Sequence, residues 1–262
     1  SQIETSYGKA EAEELIYRLI DAYFDKTRLE YWDLTQTNLD LESPEIKNIF
    51  AQAINRLLQF EPVQYIVGHT FFLDYKLDVS PAVLIPRQET EELVAMIIAN
   101  EKENRGLKIL DIGTGSGCIP IALSSELDCK EVIGLDVSND ALEVAKANAQ
   151  TNKSSVEFRN LDILSEEIPK STFDIIVSNP PYGERLEGDM NLFYSEIGDT
   201  LKQKYPDTQA WLISANMEAL KHIGLRPTRK IKLFNGKLET RLSLYSIYKG
   251  TKKLHKLKQE ES

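Results

Sequence analysis

The chain has 262 residues, 42% apolar and 27% charged, with a formal net charge of −10. This profile fits one large globular domain, or a medium one with a small companion, and excludes a disordered, collagen-like or disulfide-stapled chain. Cys118 and Cys129 give neither a disulfide framework nor a metal-ligand spacing, and His69, His222 and His255 form no ligand pattern.

No metal is therefore predicted, and a reducing, cytoplasmic setting is expected. No apolar run reaches the roughly 18 residues that a membrane helix needs. The opening "SQIETSYGKAEAEELI" is polar and acidic, unlike a secretory signal. Nothing in the sequence asks for more than a monomer. Charge is unevenly spread. Residues 201–262 carry 14 Lys and Arg against 5 Asp and Glu, while residues 1–200 carry 17 against 36. The basic quarter either contacts phosphates, as in RNA binding, or keeps a tail soluble.

Residues 1–70 carry helical spacing. "AEELIYRLIDAYF" sets Leu15, Leu19 and Ala22 on one face, with Ile16 and Tyr23 alongside. "SPEIKNIFAQAINRLLQF" opens with Ser43 as N-cap, Pro44 at the first helical position and Glu45 in the first turn. Its apolar face is Ile46, Ile49, Phe50, Ala53 and Leu57. Residues 71–90 read as a hairpin-like linker, with alternation ending in prolines. Residues 91–250 change rhythm. Strands "LKILDI", "EVIGLDV", "VEFRNLDI" and "FDIIVSN" alternate with helices; a further strand, "AWLISA", precedes a final pair near "KIKLF" and "TRLSLYSIY". This alternation predicts an α/β fold with a mostly parallel, doubly wound sheet and an antiparallel finish. Residues 251–262 form a basic tail. Trp32 and Trp211 are expected in the core or at a domain seam.

Ligands of such sheets bind beyond the carboxyl ends of the strands, where strand order reverses. Four polar signals fall there. In "DIGTGSG", Asp111 heads a turn of Gly113, Thr114, Gly115, Ser116 and Gly117. Its glycine spacing, G-x-G-x-G, departs from the dinucleotide pattern and suits a ligand with amino and carboxylate groups rather than a pyrophosphate, although a Gly-rich turn alone is weak support. Asp136 closes "IGLD" and either accepts from two ribose hydroxyls or caps the next helix. Asp162, in "NLDI", either touches an adenine amino group, with Ile163 against the ring, or is a turn aspartate. The fourth signal is "SNPPY". Two prolines cannot extend a central strand, so the chain leaves the sheet stiffly at Asn179, Pro180, Pro181 and Tyr182. A rigid surface turn would read the same way.

Together the four signals resemble a class I S-adenosylmethionine-dependent methyltransferase with a Rossmann-like, seven-stranded, mostly parallel sheet. The Asn-Pro-Pro-Tyr motif is similar to that of enzymes that methylate a nitrogen conjugated to a planar system. The resemblance implies that Asn179 and Pro180 accept the two N–H bonds of that nitrogen while Tyr182 stacks on the plane. It implies cofactor contacts from Asp111, Gly113, Thr114, Gly115, Ser116, Gly117, Asp136, Asp162, Ile163 and Asn179.

Upstream, "FFLDYKLDVSPAVLIPRQETEELV" resembles the linker of the release factor glutamine methyltransferases. Here Pro86, Arg87, Gln88, Glu89, Thr90 and Glu91 stand for that family's Pro-Arg-Pro-x-Thr-Glu motif, with Gln88 in place of the second proline. The same residues also read as a helix start. The resemblance spans roughly residues 10–182. It implies that the helical domain docks the substrate, that Arg87, Thr90, Asn179, Pro180, Pro181 and Tyr182 bind it, and that the acceptor is the glutamine of the Gly-Gly-Gln loop of peptide chain release factors. Residues 183–248, beginning Gly183, Glu184 and Arg185, instead resemble bacterial ribosomal RNA guanine-N2 methyltransferases. That alternative makes Arg229, Lys230, Lys232 and Lys237 phosphate contacts. A third reading is a cofactor-binding mosaic without turnover.

Overall fold

The computed structural model describes residues 2–24, 44–165, 172–180, 189–236 and 238–249. Ser43, Trp32, Pro181, Tyr182, Gly183, Glu184, Arg185, Lys237 and the 251–262 tail lie outside the described residues. The chain divides into two compact units, one of Ser1–Thr70 with Val79–Pro81, the other of Phe71–Asp78 with Ala82–Ser262.

The first unit is helical: α1 (Gln2–Tyr7), α2 (Lys9–Phe24), α3 (Pro44–Leu58) and α4 (Val63–Val67). Its core gathers Ile3, Ala12, Leu19, Ala53, Leu57, Val63 and Ile66, with Leu15, Ile16 and Phe50 packed against it. Two residues depart from the predicted faces. Ile49 is 47% exposed and Tyr23 38% exposed. The stripe of α3 is carried instead by Phe50, Ala53, Ile54 and Leu57. Tyr23 keeps its ring at the edge because its hydroxyl donates to the Ile66 carbonyl at 3.3 Å. Arg56 pairs with Glu61 and also donates to the Tyr65 carbonyl at 3.1 Å, meeting the last carbonyls of α4.

The boundary between the units falls inside β1 (His69–Phe72), which forms a two-stranded sheet with β2 (Tyr75–Asp78). After α5 (Gln88–Glu101), the second unit alternates β3 (Leu107–Ile112), α6 (Cys118–Glu126), β4 (Cys129–Asp136), α7 (Asn139–Thr151), β5 (Glu157–Asn160) and β6 (Ile175–Ser178). It continues with α8 (Met190–Lys204), β7 (Gln209–Ser214), α9 (Ala219–His222), β8 (Arg229–Asn235) and β9 (Leu238–Ser246). The seven-stranded sheet has the order β5-β4-β3-β6-β7-β9-β8, parallel except for β9, as the sequence predicts. The predicted third strand is shortened to Glu157–Asn160, because Asp162 turns the chain by accepting from the Leu164 N–H at 2.9 Å.

Strand residues alternate between two cores, as pleating requires. Ile109, Ile175, Val177, Trp211 and Ile213 meet residues of α5 and α6. Leu110, Ile176, Ala210 and Leu212 meet α8 on the other face. Trp211 is therefore a core residue. Helix α8 comes close enough to the chain after α9 that a Cβ on Gly198 would stand 1.8 Å from the Ile223 carbonyl oxygen. Such an approach is open to glycine alone. The chain steps outward from β3 through β4 to β5, then returns to the opposite side of β3 as β6. The carboxyl ends of β3, β4 and β6 thus lie side by side at a switch point.

Candidate active site

The parallel register aligns Ile112 with both Leu135 and Ser178, so residues 113–117, 136–138 and 179–180 leave the sheet together. Ser178 reinforces this, its hydroxyl donating to the Ile112 carbonyl at 2.9 Å. The turn after β3 has Gly113, Gly115 and Gly117 at positive φ, the left-handed region that a side chain disfavours. Gly113 and Thr114 donate N–H bonds to the Leu135 carbonyl, both at 2.8 Å, binding the turn to β4. Gly117 caps α6, and a Cβ there would press on Ala145, Ile121 and Phe158 at 3.2 Å.

A cavity of about 600 Å³ lies against this edge. Of the residues predicted for the site, Arg87, Thr90, Gly113, Thr114, Gly115, Ser116, Asp136, Asp162, Ile163, Asn179 and Pro180 line it. Asp111 and Gly117 do not: both are buried, Asp111 with no exposure at all. Pro181 and Tyr182 lie outside the described residues.

Each placement has a local cause. Asp136 is held by two backbone donors, Gly115 N–H to Oδ2 at 2.9 Å and Ser138 N–H to Oδ1 at 3.0 Å, while Ser138 itself caps α7. Four lone-pair sites on a carboxylate leave two for a ligand's hydroxyls. Arg87 stands at the N-cap of α5 in extended conformation, its Nε buried without a hydrogen-bond partner among the described residues. Asn179 follows β6 directly, and its amide nitrogen donates to Thr90 Oγ1 at 3.3 Å.

Asp111 is the unusual group. Neither carboxylate oxygen finds a hydrogen-bond partner among the described residues. Burial pushes the carboxyl up to about 7; the Asp136 charge adds to this and the neighbouring Thr114 hydroxyl opposes it. Burial, with Asp111 adding, also pushes the Cys118 thiol up to about 12, which makes it inert as a nucleophile.

Three contributions escaped the sequence reading. Phe193 and Ile197, one turn apart on α8, line the cavity. Their spacing was visible but indistinguishable from an ordinary core stripe. Asn148, fully buried in α7, accepts from the Asp78 N–H at 2.6 Å and donates to the carbonyls of Asp78 at 3.0 Å and Ser116 at 2.9 Å. One amide thus ties the β1–β2 hairpin to the Gly-rich turn. A buried asparagine within a helix was the available signal.

These features fit S-adenosylmethionine. Nothing stands within 4 Å of where a Cβ on Gly113 or Gly115 would be, so ligand atoms can approach the backbone. The half-buried Asp136 suits a diol, and Ile163, Leu161 and Val137 offer an apolar wall for a ring.

Residues 88–226 match the family model described as the methyltransferase small domain. A release factor glutamine methyltransferase of Lactococcus lactis is 41% identical over 207 residues, covering 74% of this chain and 76% of that protein. The enzyme of the same name from Flavobacterium psychrophilum is 39% identical over 187 residues, covering 69% and 64%. For that of Koribacter versatilis the figures are 45% over 140 residues, 53% and 50%, so the chain spans about half to three quarters of these relatives. Among solved structures, the T. thermophilus 16S rRNA N2 G1207 methyltransferase, in complex with AdoMet and guanosine, superposes with a TM-score of 0.55 at 16% identity, covering 68% of this chain and 49% of that one. The Pyrococcus abyssi tRNA (uracil-54, C5)-methyltransferase gives 0.51 at 19%, covering 68% and 43%. At such identities the two likenesses speak for the fold. With its sheet, its Gly-rich turn and its Asn-Pro pair in one cavity, and with that extent of identity to the L. lactis enzyme, the chain belongs to the release factor glutamine methyltransferase family.

Proposed function

We propose that the protein transfers the methyl group of S-adenosylmethionine to the side-chain amide nitrogen of the glutamine in the Gly-Gly-Gln motif of peptide chain release factors. The observation that carries this reading is the position of Asn179 and Pro180, which share one cavity with the Gly113–Ser116 turn. The cofactor, when bound, supplies an electrophilic methyl carried on a sulfonium. An amide nitrogen is a poor nucleophile because its lone pair is delocalised into the carbonyl. The Asn179 side-chain carbonyl and the Pro180 backbone carbonyl accept its two N–H bonds, which localises that pair and fixes its direction. Pro180 is buried, its φ locked by its ring and its ψ narrowed because a proline follows it in sequence, so this carbonyl is set before the acceptor arrives. Arg87 lines the same cavity, and the motif resemblance gives Tyr182 the role of stacking on the amide plane. No strong general base is needed, since the proton leaves after transfer.

In this reading the helical unit docks the release factor and the enzyme works as a cytoplasmic monomer. No described helix is long and apolar enough to cross a membrane. The test supplies methyl-labelled S-adenosylmethionine with a release factor, with its Gly-Gly-Gln glutamine changed to alanine, and with ribosomal RNA. Label in the intact release factor alone is the expected result. The exposed Arg229, Lys230 and Lys232 of β8 favour an RNA acceptor as the second reading, and label in the RNA would replace the first by it.

A further inference from the structure

An asparagine amide has two orientations related by a half-turn, and they exchange a carbonyl acceptor for an NH₂ donor. The role given to Asn179 works in one of them only. Turned the other way, its N–H bonds would oppose those of the acceptor nitrogen and leave the lone pair delocalised. Asn179 is half-buried at the end of β6, outside the ladder that ends at Ser178, so the sheet does not choose between the two.

Thr90 holds the productive one. Its Oγ1 accepts from Asn179 Nδ2 at 3.3 Å, which engages the nitrogen and leaves Oδ1 for the acceptor. The hydroxyl is itself well fixed. Thr90 is 3% exposed, in the first turn of α5, with its N–H bonded to the Arg87 carbonyl at 3.0 Å. Being β-branched, it has restricted χ1 freedom in a helix. The next residue, Glu91, accepts from the Leu73 N–H at 2.8 Å and so anchors the same turn to the hairpin. A rigid donor–acceptor pair thus crosses from the start of α5 to the end of β6.

We propose that Thr90 is a positioning residue: its hydroxyl sets the plane and the facing of the Asn179 amide, and it acts on the acceptor through that amide rather than by binding substrate. This rests on the role proposed for Asn179 and does not depend on which acceptor the enzyme uses. The experiment compares wild type, Thr90→Val and Thr90→Ser on whichever of release factor and ribosomal RNA the wild-type enzyme labels. Failure to label the release factor would overturn the proposed function while leaving this comparison in place. Loss of one hydrogen bond that orients a reacting group should lower kcat by roughly tenfold in Thr90→Val, with acceptor KM and cofactor affinity within about twofold. Thr90→Ser should restore kcat to within about threefold of wild type.

A second readout needs neither turnover nor cofactor: the side-chain NH₂ protons of Asn179, followed by NMR, should exchange with solvent faster in Thr90→Val than in wild type or Thr90→Ser. Unchanged kcat in Thr90→Val overturns the proposal, as does a Thr90→Ser variant as impaired as Thr90→Val. A raised KM or weakened cofactor binding at constant kcat also overturns it, because Thr90 would then touch a ligand directly. If Thr90→Val melts far below wild type, or if no acceptor is labelled, Thr90→Ser and the exchange rates decide.

Discussion

On the β3–β4–β5 side, the cavity is bordered by a Gly-rich turn whose Gly113 and Gly115 line it at positive φ, its amides fastened to the Leu135 carbonyl and the Asp136 carboxylate, with Asp136, Leu161 and Ile163 following at the ends of the next strands. On the β6–β7 side the wall is made of side chains from separate elements, with Asn179 after β6, Thr90 from α5, and Phe193 and Ile197 from α8. The first kind of wall demands particular residues at fixed short spacings and so leaves a motif. The second demands only that distant residues meet, which leaves almost none. The first wall should also yield to substitution through binding and stability, the second through turnover.

The largest expected effect lies on the second wall. Asn179→Ala should lower kcat by about 10²–10³-fold while cofactor affinity holds, since it deletes one preorganised transition-state contact. Equal loss of cofactor binding, read by calorimetry, would erase the contrast between the walls. Next, Gly198→Ala should cost about 3 kcal/mol of stability, at the upper end of overpacking, because its new methyl meets the Ile223 backbone and not a flexible side chain. A denaturant titration measures it, and an unchanged midpoint would mean that α8 has room to shift.

On the first wall, Asp136→Ala should weaken S-adenosylmethionine roughly 10–100-fold, the worth of hydrogen bonds to a charged group, with smaller effects on kcat. The last contrast is a pH limb. The Asp111 carboxyl is raised from 3.8 to about 7, so the folded state holds its proton more tightly than the unfolded chain does. Its contribution to stability is therefore full below about 4 and declines as pH rises towards 7, levelling off above. Asp111→Asn should flatten that limb in melting temperatures taken without cofactor between pH 4 and 8, and a limb that persists unchanged would assign it to other groups.

The order of strands and helices was legible because the periods of two and 3.6 are imposed by burial on both faces of the sheet. The Gly-rich turn and Asp136 were legible because few residues tolerate those conformations or that spacing. Asp111 is fully buried and outside the cavity lining, and a polar residue at a strand end reads the same in sequence whether it is buried or lines a cavity. Thr90 was found only through resemblance, since a sequence separation of 89 from Asn179 leaves no local signal. Ile49 shows the converse limit. An apolar residue at the right helical phase can still stand at the edge of its stripe, when Ala53 and Leu57 already fill the core.

Asn148 turns three separate strips of chain into one splice. A pull on the hairpin, whose second strand ends at the same Asp78 that Asn148 grips, is felt at the Ser116 carbonyl with no intervening loop to absorb it. Strain arising in β2 therefore has a short, stiff route to the Ser116 side of the cavity.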